Sequence, residues 1–447
     1  MKTIEKIIFA PATLIGESSI SVIRISGENS FGVVSKIFSS SKNEFKKIDL
    51  PGDAGYILKH GYILNVSGLV DEVVCSFFRN PHSFTGEDVV EISSHGGVFV
   101  YRTISELLAN CGCVPAEPGE FSKRAFMNGK MDLTQAEAVS DLIRAKSDMA
   151  LKAAQKQLSG NVSNYVNNLK NELINYCSLV ELELDFADEG IDLIPKSKLL
   201  EGIDKISKII AKFASSYSSG KIIKNGVNLA IIGKPNAGKS SIFNYLLNDS
   251  RAIVSHIPGT TRDYLEESLL LGGIAFNLID TAGIRYSTDE IEKEGVRRSL
   301  QKMEEADLVL EVVDLTAPKS DETPSSADLV VFNKADICEP SNSELSVSAL
   351  TGFNMHELEN RLVEKAKNLI DIGEKTEVII TNERHKQQLL KSCEYLVNAK
   401  RLVEKDEGNE LISIEIREAL GSLEEIIGKT SNVDILNNIF SKFCIGK

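Results

Sequence analysis

The stretch VNLAIIGKPNAGKSSIFNYLL, residues 227–247, restricts the fold more than any other part of the chain. A short apolar run reads as a buried strand, a glycine-bearing turn follows it, and an amphipathic run continues as a helix. Gly233-x4-Gly238-Lys239-Ser240 fits the template of a phosphate-binding loop. Small residues there let successive backbone N–H groups wrap an anion, and the helix N-terminus adds its positive end. In this reading Asn236, Ala237, Gly238 and Ser241 complete the cradle. Lys239 neutralises the β- and γ-phosphates, and the Ser240 hydroxyl is a Mg²⁺ ligand.

Two further motifs follow in order. Asp280-Thr281-Ala282-Gly283 reads as a DxxG segment, with the aspartate facing Mg²⁺ and the glycine amide facing the γ-phosphate. The next residue is Ile284, where Ras-type enzymes keep a water-orienting glutamine. Asn333-Lys334-Ala335-Asp336 follows the apolar run ADLVVF and supplies base selection. The Asp336 carboxylate accepts from N1–H and the exocyclic amine of guanine together, whereas adenine leaves it short of donors. Asn333 is expected at the opposite purine edge. Ser348-Ala349-Leu350 falls where a backbone amide meets the guanine carbonyl. The ordered set implies a Ras-like P-loop α/β domain that binds GTP.

Flanking this domain, the texture changes. The first 117 residues alternate strand-like runs (SISVIRISG, GYILNV, VDEVVCSFF, DVVEISS) with the helical runs NSFGVVSKIFSS and VYRTISELLANCG. That predicts an α+β domain. Residues 118–220 and 371–447 are rich in Ala, Leu, Lys and Glu at helical spacing, with Leu173, Cys177, Val180 and Leu184 forming one stripe. The expected organisation is therefore α/β plus α: an N-terminal α+β domain at 1–117 and a long-helix domain at 118–220 and 371–447. The nucleotide domain, 221–370, is inserted into the helical one. Between Asp314 and Ala327 the chain is short for a crossover helix, which is expected to be reduced or missing.

Bulk properties narrow the class further. A net charge of −14 argues against a wholly basic nucleic-acid binder. The seven cysteines are scattered and the six histidines form no HxH or HExxH group, so a zinc site built by the protein is not expected. Neither a signal peptide nor a membrane span is expected, and the expected location is cytoplasmic. No GxGxxG occurs, so any flavin must come from elsewhere.

The segment SHIPGTTRDYLEE, 255–267, supplies Thr261 as the switch threonine for Mg²⁺. Together with GKPNAGKS and the apolar Ile284, it resembles the potassium-activated branch of the translation-factor-related GTPases. That resemblance implies a K⁺ site made by the Asn236 side chain and the loop of Ser255, Ile257 and Thr260. His256, Pro258 and Gly259 complete this nucleotide-facing loop. The ion then stands where other GTPases place an arginine finger, stabilising charge on the leaving group.

Three blocks outside the nucleotide domain carry a wider likeness: VIRISG (22–27), PHSFTGEDVVEISSHGG (81–97) and PGEFSKRAFMNGKMDLTQAEAVSDLI (118–143). With FCIGK at 443–447, they resemble the MnmE (TrmE) family of tRNA uridine 5-carboxymethylaminomethyl modification GTPases. The resemblance implies an N-terminal domain that binds 5-formyl- or 5,10-methylene-tetrahydrofolate and forms homodimers. Its folate-contacting positions fall on Arg24, Glu91, Lys130 and Lys447, with Cys444 close by in a role left open between attack, orientation and packing. Glu292, beyond DTAG, aligns with the glutamate that positions the hydrolytic water. The implied partners are tRNA and an FAD-dependent MnmG (GidA)-type protein in a heterotetramer. The implied product carries a carboxymethylaminomethyl group at C5 of the wobble uridine of certain tRNAs.

Overall fold

The computed structural model describes residues 6–46, 56–185, 194–249, 267–280, 306–317, 327–338, 345–370, 378–430 and 432–447. The chain divides into two compact units, residues 1–140 with 427–447 and residues 141–426.

In the first unit a seven-stranded sheet has the order β3-β4-β5-β6-β2-β1-β7. Its strands are β1 (Ile8–Pro11), β2 (Ser21–Ser26), β3 (Phe38–Ser39), β4 (Tyr56–Asn65), β5 (Gly68–Phe78), β6 (Val89–Ser94) and β7 (Val114–Pro115). Every pairing is antiparallel except β1 with β7. Alternation does what a half-buried strand requires: Ile23 and Ile25 enter the core with Cys75, Phe77, Val90 and Ile92, while Arg24 and Glu91 fall on the other face. Helices α1 (Ser30–Val34) and α2 (Val98–Asn110) belong to this unit, and α2 contributes Ile104 and Leu108 to that core. The expected helix over NSFGVVSKIFSS is corrected here. It lasts only five residues, because Phe38–Ser39 pairs with Tyr62 and Ile63 of β4.

The expected long helices after residue 118 are also shorter at first. They are α3 (Glu120–Met127), α4 (Leu133–Arg144) and α5 (Asp148–Leu158), and only α6 (Asn161–Asp185) is long. Ser147 caps α5 by accepting from Ala150 N, which fixes where one helix stops and the next begins. Leu173, Cys177 and Val180 of the α6 stripe are buried. Next come α7 (Lys196–Ser215) and α8 (Tyr217–Asn225).

The second sheet follows, in the order β12-β11-β8-β10-β9. It is built from β8 (Val227–Ile232), β9 (Glu267–Leu271), β10 (Ile274–Asp280), β11 (Leu308–Asp314) and β12 (Leu329–Asn333), with α9 (Lys239–Asp249) after β8 and α10 (Met355–Leu369) after β12. Strands β10, β8, β11 and β12 are parallel, and β9 returns antiparallel on β10. Their apolar runs are buried as an interior parallel sheet demands, with Leu229, Ile231, Phe276, Leu278, Leu310 and Val312 in one core. The crossover between Asp314 and Ala327 lies mostly outside the described residues.

Helices α11 (Glu383–Glu404), α12 (Asn409–Ile427) and α13 (Val433–Phe440) end the chain, and α11 packs along α7. The chain leaves the helices for the sheet and returns at neighbouring points, since Ile380 N donates to Ser216 Oγ at 3.1 Å.

Candidate functional site

The turn between β8 and α9 is forced into left-handed backbone at Asn236 (φ 64°) and Gly238 (φ 94°). A β-carbon at Gly238 would stand 2.0 Å from Asn333 Nδ2, so no larger residue fits without moving the base-side loop. Asn236, Ser240 and Ser241 are exposed at the loop surface, and Ala237 is buried beneath it. Lys239 Nζ donates to the carbonyls of Gly233 at 2.9 Å and Lys234 at 3.0 Å. A small cavity of about 150 Å³ beside it is lined by Ile231, Lys239, Ser240, Phe243 and Asn244. The helix N-terminus at the start of α9, a lysine and a serine hydroxyl form a set suited to phosphate and its counter-cation.

The base side is tied to this loop. Asn333 is 4 % exposed, and its Nδ2 donates to Ala237 O at 3.0 Å while its Oδ1 accepts from Ala349 N at 3.2 Å. Sequence reasoning placed Asn333 at the purine edge but missed this tie between the phosphate loop and the Ser348–Leu350 loop. Losing it would leave a buried donor and acceptor unpaired, each costing about 1–3 kcal/mol. Asp336 is exposed, and its Oδ1 accepts from the buried Ser348 Oγ at 2.6 Å. That bond aims the carboxylate without consuming its second oxygen. Ala335 N donates to Val347 O, Lys334 pairs with Asp314, and Leu350 is exposed at the rim.

Ser255, His256, Ile257, Pro258, Gly259, Thr260, Thr261, Thr281, Ala282, Gly283, Ile284 and Glu292 lie outside the described residues, as does the Asp280 side chain at the end of β10. Among the described residues no group of three or more His, Cys, Asp or Glu side chains is arranged to hold a metal.

A second polar constellation stands in the first unit. Arg24 on β2 and Glu91 on β6 are register partners, with Nε to Oε1 at 2.8 Å and side chains 14 % and 26 % exposed. The guanidinium carbon lies 5.3 Å from the Phe84 ring centroid and 5.8 Å from that of Phe121. Stacking of this kind suits a planar, weakly hydrated cation. Arg24 Nη1 also donates to Gly446 O at 3.3 Å, which brings the FCIGK segment to the pair. Gly446 is left-handed (φ 90°), and a β-carbon there would stand 2.1 Å from Pro11 O. Burial pushes the Lys447 ammonium below the ordinary lysine range, and the charge of Arg24 adds to this. Cys444 contributes its carbonyl, which accepts from Gly119 N at 3.5 Å.

Arg24, Glu91 and Lys447 are thus brought together. Lys130 is exposed and its Nζ donates to Pro81 O at 2.9 Å instead of to Glu91. Sequence reasoning missed Phe84, Phe121 and Gly446 as supports of Arg24. The aromatic residues within the SFTGED and PGEF blocks were the available signal.

Among the described residues no helix is long and apolar enough to cross a membrane. The family model described as GTP-binding protein TrmE N-terminus matches residues 7–130, and the one described as MnmE helical domain matches residues 133–444. The chain is 39% identical over 98% of its length to the tRNA modification GTPase MnmE of Chlorobium chlorochromatii, covering 98% of that protein. It is 41% identical over 98% of its length to the tRNA modification GTPase MnmE of Aquifex aeolicus, covering 99% of it. The corresponding protein of Flavobacterium johnsoniae is 38% identical over 98% of this chain and 99% of its own length. With this likeness along nearly its whole length, the chain belongs to the MnmE (TrmE) family of tRNA modification GTPases.

Proposed function

We propose that this chain is a potassium- and magnesium-dependent GTPase whose N-terminal unit carries a reduced folate for tRNA modification. It works as a homodimer with an FAD-dependent MnmG (GidA)-type partner, joined as a heterotetramer. Together they install a carboxymethylaminomethyl group at C5 of the wobble uridine of certain tRNAs in the cytoplasm. The observation that carries the folate half is the Arg24–Glu91 pair beside Lys447, assembled from chain-distant segments and backed by two aromatic rings.

The residues present suit such a ligand. The Glu91 carboxylate, held in place by Arg24, would accept from the N–H donors of a pterin. Lys447, with Lys130, attracts the anionic glutamate tail. The bound folate, 5-formyl- or 5,10-methylene-tetrahydrofolate, supplies the one-carbon unit.

On the nucleotide side, Lys239 and the α9 amides bind phosphate, and Ser240 with Thr261 holds Mg²⁺. Asn236, with the loop of Ser255, Ile257 and Thr260, holds K⁺. Asp336 reads guanine. Glu292 orients the attacking water, a duty Ile284 cannot perform.

Isothermal titration of the full chain with 5-formyl-tetrahydrofolate tests the folate half. Glu91→Gln should weaken binding at least tenfold, and unchanged affinity would remove the site. Modification assays with and without the flavoprotein test the partnership, since turnover without it would contradict the two-protein reading.

A further inference from the structure

A buried polar rung crosses the nucleotide-binding sheet away from the phosphate loop. Register places Ser268 of β9, Asn277 of β10 and Asn228 of β8 side by side on three adjacent strands. Their side chains bond laterally: Ser268 Oγ donates to Asn277 Oδ1 at 2.9 Å, and Asn277 Nδ2 donates to Asn228 Oδ1 at 3.1 Å and to Asn225 O at 2.9 Å. Ser268 is 5 % exposed and Asn277 8 %. The rung reaches β11 through Asp307, whose carboxylate accepts from Asn228 N at 2.9 Å and whose N–H donates to Asn228 O at 2.9 Å.

At its other end stands Lys146, in the turn between α4 and α5, with Nζ donating to Ser268 Oγ at 3.0 Å. The capped start of α5 fixes that turn, and Met149 and Ala153 of α5 pack against the sheet's core. Donor and acceptor roles run in one direction. The ammonium donates to the serine, the serine hydroxyl passes its hydrogen to the asparagine carbonyl, and the asparagine amide spends its two hydrogens on Asn225 and Asn228. A charge at one end polarises the whole chain of bonds. Two buried polar residues, Ser268 and Asn277, where apolar ones would pack at lower cost call for a reason beyond cohesion.

Sequence position supplies the reason. Ser268 comes seven residues after Thr261, and Asn277 three residues before Asp280, so the β9–β10 hairpin carries one expected Mg²⁺ group on each side. Asn228 lies on the strand that ends in the phosphate loop. We propose that Lys146 is a positioning residue for GTP hydrolysis: through Ser268 and Asn277 it holds the β9–β10 hairpin at a set displacement from β8. Small displacements of groups around a reacting phosphate reduce rate strongly while leaving ground-state binding intact. The inference rests on the nucleotide site described above.

The test compares full-length Lys146→Met, Lys146→Arg, Ser268→Ala and the Lys146→Met/Ser268→Ala double variant. Each is scored for kcat and KM for GTP, affinity for a fluorescent GDP analogue, and Tm. Lys146→Met should lower kcat about three- to tenfold with KM and GDP affinity unchanged, Lys146→Arg should restore most of it, and Ser268→Ala should add nothing to Lys146→Met. An unchanged kcat, additive losses, or a kcat that falls only in step with Tm would overturn the proposal. Asp336→Asn, scored for guanine preference under the same conditions, reads the base site separately, so a failure there is distinguishable from a failure of the rung.

Discussion

The phosphate loop and the N-terminal Arg24 site both place charge beside a partner, but they are put together by opposite means. The loop is eight consecutive residues, 233–240, whose conformation follows from a strand, a helix start and left-handed backbone at Asn236 and Gly238. The Arg24 site draws on β2, β6, the Phe84 turn, α3 and the FCIGK segment, and exists only when the sheet and its register are complete. A contiguous site takes its backbone shape from its own letters. A distributed one depends on every segment that frames it.

That contrast can be broken most strongly at the base side. Asp336→Asn should reduce discrimination of guanine over adenine by roughly three orders of magnitude, since a complementary pair of hydrogen bonds becomes a mismatch. Competition between GDP and ADP for the chain measures it, and retained discrimination would mean that the reading is not concentrated in one carboxylate.

The distributed site should yield to a change that touches no ligand. Gly446→Ala adds a carbon 2.1 Å from Pro11 O at a left-handed position, and the shift it forces carries the Gly446 carbonyl away from Arg24. Reduced-folate affinity should fall about tenfold, a loss of about 1.4 kcal/mol, while GDP affinity stays at the wild-type value. Equal loss at both sites would break the comparison.

A smaller effect sharpens it. Lys447 titrates below the ordinary lysine value because burial, and then Arg24, disfavour its charge. As pH rises through that depressed pKa the ammonium is lost, so affinity for an anionic folate should decline, by about threefold, at a lower pH than an ordinary lysine would require. Stability moves the other way, rising between the depressed pKa and the unfolded value, because the unfolded chain holds the proton longer. Lys447→Met should flatten the binding profile, and a profile unchanged by that variant would assign the charge elsewhere.

The same contrast explains what could be read in advance. The strand, loop and helix at 227–247 were legible because each letter serves its own neighbours. The tie from Asn333 to Ala237 was not, since 96 residues separate its ends and nothing local to NKAD announces it. Apolar spacing in FGVVSKIF suits the helix expected over 29–40, while pairing of Phe38–Ser39 with β4 claims its second half. Arg24 and Glu91 come from the resemblance, whereas Phe84, in a turn, and Phe121, on α3, stand in blocks whose aromatic letters do not say which cation they stack on until the fold brings them together.

On the proposed mechanism, hydrolysis proceeds beside Ile284 because a monovalent cation held by Asn236 supplies the missing charge. GTP turnover by the full chain, in KCl and in NaCl at equal ionic strength, measures this directly. The account predicts a rate at least tenfold higher in KCl, with Asn236→Ala in KCl reduced to the wild-type rate in NaCl. Equal wild-type rates in the two salts would contradict it.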